Sequence, residues 1–129
     1  MNGAVLYIDD SQDNILLVQR LLKRARPDIQ LHTAKTGADG IGLAIDAQPA
    51  LILLDNRLPD CSGAQVLRDL AANPATAAIP VVILSGDSGP VTVKELLAAG
   101  AADFLAKPFD IHQLLAIIGR YLPRSPGRD

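Results

Sequence analysis

The sequence predicts an α/β domain, a doubly wound, five-stranded parallel sheet with helices on both faces. Three observations carry that reading. Short apolar runs alternate regularly with stretches of three- and four-residue periodicity. Three of those runs are apolar throughout, as strands covered on both faces are. Five such pairs fill 129 residues, a length that one hydrophobic core serves well. Parallel neighbours need helical crossovers, and right-handed crossovers make the doubly wound arrangement the economical one.

The first strand is Ala4-Val5-Leu6-Tyr7-Ile8, too short for a buried helix and bounded by Gly3 and Asp9. From Ser11 the period changes. Ile15, Val18, Leu22 and Ala25 share one face, Arg20, Lys23 and Arg24 lie off it, and Pro27 ends the helix. Residues 29–33 alternate with period two, as an edge strand does, before a weaker helical pattern over 37–47. Leu51-Ile52-Leu53-Leu54 is apolar up to Asp55, and the Pro59, Asp60, Ser62 and Gly63 cluster forms a loop before a helix over 65–72. Residues 80–84 open with Pro80, which a strand tolerates at its first position, and stop at Ser85-Gly86. A fourth helix over 92–99 is closed by Gly100 and followed by a short strand over 102–106. The fifth helix, 110–122, has Asp110 as its N-cap and Pro123 beyond its end. Residues 1–122 thus form the domain, and 123–129 read as a flexible tail or the start of a linker.

Composition excludes several functions. Twelve Lys+Arg against fourteen Asp+Glu give a net charge of −2, without the broad positive field that direct nucleic-acid binding uses. Cys61 is the only cysteine and there are two histidines, so disulfides within the chain and Cys/His zinc frameworks are excluded, and a reducing cytoplasm fits best. No apolar run approaches the ~20 residues of a spanning helix, so a soluble, unexported protein is expected. Gly37, Gly40 and Gly42 match neither a dinucleotide fingerprint nor a Walker loop. Thirteen of the fourteen acids are Asp although Glu is the better helix former, which points to aspartates placed for chemistry.

Ligands of open parallel sheets bind beyond the carboxyl ends of the strands, so those ends are read first. They carry Asp9-Asp10, Asp55, Ser85 and Lys107-Pro108. If the first and third strands are neighbours, Asp9, Asp10 and Asp55 converge, and each pair at ~5 Å repels by about 3 kcal/mol at an effective dielectric of 20. Lys107 offsets only part of that repulsion. A small hard dication completes it, and Mg²⁺, with Mn²⁺ as a substitute, suits an incomplete oxygen shell better than Ca²⁺. A turn or capping role is the alternative for Asp9 and Asp10 alone. Asp55, facing a cation and an ammonium, has the setting of a carboxylate nucleophile toward a phosphoryl group. Ser85 can donate a hydrogen bond to such a group, and Gly86 lets its backbone N–H approach closely.

Taken together, Asp9-Asp10, the segment Asp55-Asn56-Arg57-Leu58-Pro59-Asp60-Cys61-Ser62-Gly63, Ser85-Gly86, and Ala101-Ala102-Asp103-Phe104-Leu105-Ala106-Lys107-Pro108-Phe109 resemble the receiver domain of two-component response regulators. The resemblance spans residues 4–122. It implies a flavodoxin-like sheet of strand order 2-1-3-4-5. It further implies that Asp55 is the phosphoacceptor, fed by a phosphohistidine on a sensor histidine kinase or histidine phosphotransfer protein. Asp9 and Asp10 would hold Mg²⁺ directly or through water, with Asp55 and the Arg57 backbone carbonyl completing the shell. Lys107 would pair with the phosphoryl group, and the bond to Pro108 would be cis. Ser85 and Phe104 match a switch pair, and Arg57 and Asp87 match two positions that tune phosphoryl lifetime. Where the family often has Thr and Tyr, Ser85 lacks the stiffening methyl and Phe104 lacks the hydroxyl, so a softer switch is expected.

On that reading the chain is a signalling switch and not an enzyme, catalysing only its own phosphorylation and dephosphorylation, and these residues leave no room for an output domain. The surface of the fourth helix, fifth strand and fifth helix is the expected output, including a possible homodimer. Ile111, Leu114, Leu115, Ile117, Ile118, Tyr121 and Leu122 cover more of the last helix than one buried stripe needs. Two alternatives belong to other classes, namely a Mg²⁺-dependent aspartyl-phosphate phosphohydrolase and a pseudo-receiver that only binds partners. Such hydrolases usually carry a second aspartate two residues after the first, where this chain has Arg57. His32 and His112 are assigned to surface or packing, and Arg20, Lys23, Arg24 and Arg26 to the C-terminal dipole of the first helix.

Overall fold

A computed structural model describes residues 3–86 and 89–123. Its elements run β1 (Ala4–Ile8), α1 (Gln12–Ala25), β2 (Gln30–Ala34), α2 (Gly37–Ala47), β3 (Leu51–Asp55), α3 (Gly63–Ala72), β4 (Val81–Ser85), α4 (Pro90–Ala98), β5 (Asp103–Ala106) and α5 (Ile111–Tyr121). All strand pairs are parallel and the order is β2-β1-β3-β4-β5. The doubly wound sheet is therefore as expected, with β2 at one edge. Ladder residues extend β3 and β4 one residue past their apolar runs. Asp55 pairs with Leu84 in register, and Ser85 with Ala106, so both belong to the strands that the apolar pattern would have ended one residue sooner.

Helix starts follow their caps more than their hydrophobic stripe. Ser62 accepts from the Gln65 N–H, which begins α3 at Gly63 and not at Gln65. Pro90 stands in the first turn of α4, where its missing N–H costs nothing, and that helix starts two residues before Thr92. Asp110 caps α5 in a reciprocal capping box with Gln113. Arg26 stands at the C-terminal end of α1 but is not on its exposed face. It is 5% exposed, caps α1, and forms a two-pronged pair with Asp28 at 2.8 and 3.0 Å. Only Arg20, Lys23 and Arg24 remain on the exposed face of α1.

Strand alternation divides the core into two layers. Val5, Tyr7, Leu51, Leu53, Val82, Leu84 and Leu105 meet Ile15, Val18 and Leu22 of α1 and Leu114, Ile117 and Ile118 of α5. Leu6, Ile8, Ile52, Leu54, Val81 and Ile83 meet α2, α3 and α4 on the other face. On α5, Leu115 and Tyr121 are partly buried against the first layer while Ile111 is 47% exposed, so most of its broad apolar surface is spent on the core. No helix among the described residues is long and apolar enough to cross a membrane.

Close packing of α2 on β1 depends on glycine. A Cβ at Gly40 would lie 2.8 Å from Ile8 Cγ1 and nearer still to its Cδ1, whereas a Cβ at Gly42 would meet nothing within 4 Å. Overpacking costs about 1–3 kcal/mol, against a helix-propensity gain of about 1 kcal/mol for Gly→Ala. Gly42→Ala is therefore expected to raise the urea midpoint and Gly40→Ala to lower it. A stabilised Gly40→Ala would contradict this packing.

Candidate functional site

The alternation that builds the core also aims the site. Tyr7, Leu53 and Leu105 face the α1/α5 layer, and two residues further along each chain stand Asp9, Asp55 and Lys107. Period two returns these three side chains to the same side of the sheet at its carboxyl edge. Lys107 Nζ lies 3.4 Å from Asp55 Oδ1 and 3.8 Å from Asp9 Oδ2. One carboxylate oxygen from each of Asp9, Asp10 and Asp55 falls within 4.8 Å of the others. Asp10 is exposed, Asp55 half-buried, and Asp9 fully buried.

An open cleft of about 700 Å³ lies over this edge, lined by Asp10, Asp55, Asn56, Arg57, Leu58, Pro59, Ser85, Gly86 and Lys107. Asp9 sits beneath it. The loop after β3 is tightly tied. Gly63 N–H donates to the Asn56 carbonyl at 2.8 Å, Leu58 N–H to that of Cys61 at 3.2 Å, and Arg57 pairs with Ser62 in an isolated antiparallel bridge. Asp60 reaches across to α2 and accepts the Gly37 and Ala38 N–H groups at 2.8 and 3.1 Å, which holds its carboxyl below the ordinary range. The Arg57 N–H faces Asp55 Oδ1 at 3.4 Å.

The two carboxylates beside Lys107 are pushed in opposite directions. Burial drives both upward. At Asp9 that effect is outweighed by hydrogen bonds from Tyr7, the Ser11 N–H and Asn14, with help from Lys107, and the group stays below its usual range. At Asp55, Lys107 offsets burial only in part and the Asp9 charge adds to it, so the group is held above its usual range. Asp9 is thus a fixed charge, and Asp55 is a carboxylate whose charge is left incompletely compensated. The Cys61 thiol is pushed up by burial and by the Asp60 carboxylate, and it does not line the cleft.

Ser85 is 3% exposed and its hydroxyl lies 3.5 Å from Asn56 Nδ2. Phe104 is half-buried against the α2/α3/α4 layer, beside Ile83 in register, so ring and hydroxyl share one face of the sheet. The Lys107–Pro108 peptide is cis. Asp87 lies outside the described residues, as do 124–129. His32 on the edge strand and the exposed His112 do not line the cleft.

Three contributors escaped the sequence reading. Tyr7 reads as core, and Asn14 as one more polar residue of α1, yet both bind Asp9 Oδ2. Asn56 reads as loop and contacts Ser85. A signal was present for Tyr7 alone, since it precedes Asp9 by two residues in a strand and so shares its face.

The sequence pattern of the response regulator receiver domain matches residues 5–119. The cell cycle transcriptional regulator CtrA of Caulobacter vibrioides is 36% identical over 123 residues, which are 95% of this chain and 52% of CtrA. The chain therefore spans about half the length of that relative. The chemotaxis response regulator CheY4 of Vibrio cholerae superposes with a TM-score of 0.85 at 26% identity, covering 94% of this chain and 99% of CheY4. The receiver domain of the Pseudomonas aeruginosa sensor histidine kinase PA1611, whose structure has a magnesium ion in its active-site cleft, gives 0.84 at 23% identity over 96% of this chain and all of that one.

Proposed function

This chain belongs to the response regulator receiver family of two-component systems, and from that membership we propose that it is a phosphorylation switch whose acceptor is Asp55. One observation carries the choice of residue. Asp55 opens onto the polar cleft with Lys107 3.4 Å away and its charge only partly compensated. The donor is a phosphohistidine on a sensor histidine kinase or histidine phosphotransfer protein. An Asp55 carboxylate oxygen bonds to phosphorus as the phosphorus–nitrogen bond breaks, and the electron pair leaves on the histidine nitrogen, which takes up a proton.

Three carboxylates within 4.8 Å of one another fit a hard dication. Asp10, Asp55 and the Arg57 carbonyl would hold Mg²⁺ or Mn²⁺, with Asp9 acting directly or through water. The ion, when bound, neutralises charge on the phosphoryl oxygens. Lys107 pairs with one of those oxygens, and the Ser85 hydroxyl and Gly86 N–H serve another. As Ser85 moves toward the phosphoryl group, Phe104 turns inward behind it and alters the α4-β5-α5 surface, through which homodimerisation or another output proceeds in the cytoplasm. Arg57, and Asp87 with it, would slow the hydrolytic water. Residues 1–122 constitute the switch and 123–129 its tail or linker.

Incubation with acetyl phosphate or phosphoramidate and Mg²⁺ tests the reading. A mass increase of one phosphoryl group per chain is expected. Continuous turnover of unrelated phosphomonoesters would replace the switch with a phosphohydrolase, and an unchanged mass would leave only a partner-binding module.

A further inference from the structure

Tyr7 is the one aromatic residue in a strand otherwise made of Ala4, Val5, Leu6 and Ile8, and it is 1% exposed. A phenol so deeply buried must bring its hydroxyl to a partner. Here the ring packs between the sheet and the α1/α5 layer, and the hydroxyl donates to Asp9 Oδ2 at 2.5 Å. The same oxygen accepts Asn14 Nδ2 at 3.1 Å and faces Lys107 Nζ at 3.8 Å, while Oδ1 accepts the Ser11 N–H at 2.9 Å. Both oxygens of Asp9 are therefore engaged, Oδ2 from within the core and from the first turn of α1, and Oδ1 from the residue that caps α1.

From this arrangement we infer that Tyr7 is a positioning residue for the cation site, fixing the rotation of the Asp9 carboxylate and limiting its claim on Lys107. The inference rests on the proposed Mg²⁺ site. Asn14 and Ser11 approach from the loop and first turn after β1, whereas Tyr7 reaches Asp9 from inside a fully buried strand. Of the donors on Oδ2, the phenol is thus the most rigidly mounted. Without it, Oδ2 is freer to turn toward Lys107, which stands 3.4 Å from Asp55. Such a swing misplaces the Asp9 charge relative to Asp10 and Asp55 and draws the ammonium away from the acceptor. Partners that orient a metal-site carboxylate typically govern about 10–100-fold in metal affinity.

The variant Tyr7→Phe keeps the ring and removes the hydroxyl. Mg²⁺ affinity of the full chain is measured by isothermal titration, and phosphorylation by acetyl phosphate is followed against Mg²⁺ concentration. The variant is expected to bind Mg²⁺ about tenfold more weakly and to need correspondingly more Mg²⁺ for half-maximal phosphorylation, with the maximal rate largely restored at saturation. Tyr121 is the only other tyrosine and tryptophan is absent, so a Mg²⁺-dependent change in tyrosine emission should be present in the wild type and lost in the variant. A loss of fold stability with unchanged Mg²⁺ affinity would reduce Tyr7 to packing and overturn the inference. As a second comparison, Tyr7→Phe in an Asp9→Asn background should have little further effect on affinity, and full additivity would also overturn it. Absence of Mg²⁺ binding by the wild type would instead overturn the cation site on which the inference stands.

Discussion

Asp55→Asn is expected to reduce phosphorylation by acetyl phosphate to the chemical background while leaving the fold at least as stable as the wild type. The carboxamide matches the carboxylate in shape but offers no anionic oxygen to attack phosphorus. Stability follows from the direction of the Asp55 shift. Its folded form holds a proton more tightly than the unfolded chain does, so ionisation of Asp55 costs stability as pH rises through its range. Removing the charge at neutral pH removes that cost. Asp9 has the opposite sign: its carboxyl is held low, and the stability that its ionised form contributes is lost as pH falls through that depressed range. Thermal unfolding at neutral pH together with phosphorylation kinetics checks the claim. An Asp55→Asn protein that is phosphorylated at the wild-type rate would contradict it.

A second large effect is expected at Asp10, and its sign depends on Mg²⁺. Two unit charges 4.8 Å apart at an effective dielectric of 20 repel by about 3.5 kcal/mol, which solvent at an exposed group reduces to about 1 kcal/mol. Without divalent ions, Asp10→Asn should therefore unfold about 3–6 °C above the wild type. Addition of Mg²⁺ should reverse the order. At ten times its dissociation constant a ligand stabilises the folded state by about 1.4 kcal/mol, and at a hundred times by about 2.7 kcal/mol. The wild type gains that stabilisation, while the variant, having lost an outward-facing carboxylate, gains little. Melting curves in EDTA and in rising Mg²⁺ should cross. Parallel curves would show that Asp10 takes no part in cation binding.

Much of this site was legible because it depends on strand parity. Asp9, Asp55 and Lys107 each end or follow a strand, and a parallel sheet has only one carboxyl edge on which to gather them. Ser85 was legible from the same edge, whereas Phe104 lies inside β5 and was marked only by the resemblance to the receiver family. What escaped depends on contacts between residues distant in sequence or on side chains with two identities. Asp60 holds the N-terminus of α2 twenty-three residues before it, a pairing that no local pattern displays. Tyr7 is hydrophobic along its ring and polar at its tip, and periodicity registers only the ring. Arg26 was grouped with its basic neighbours at the C-terminal dipole of α1, and the charge run does not display the two-pronged pair that it forms with Asp28. Helix starts moved by up to two residues because Ser62 and Pro90 determine where the first turn forms.

The central claim is that Asp55 carries the phosphoryl group in a Mg²⁺-dependent manner. Reduction of the acyl phosphate with borohydride after treatment with acetyl phosphate converts a phosphorylated aspartate to homoserine, which peptide mass mapping then locates. Homoserine at position 55 in the presence of Mg²⁺, and its disappearance in EDTA, is the predicted result. Homoserine at Asp9 or Asp10, or a stable phosphoryl group on His32 or His112, would contradict it.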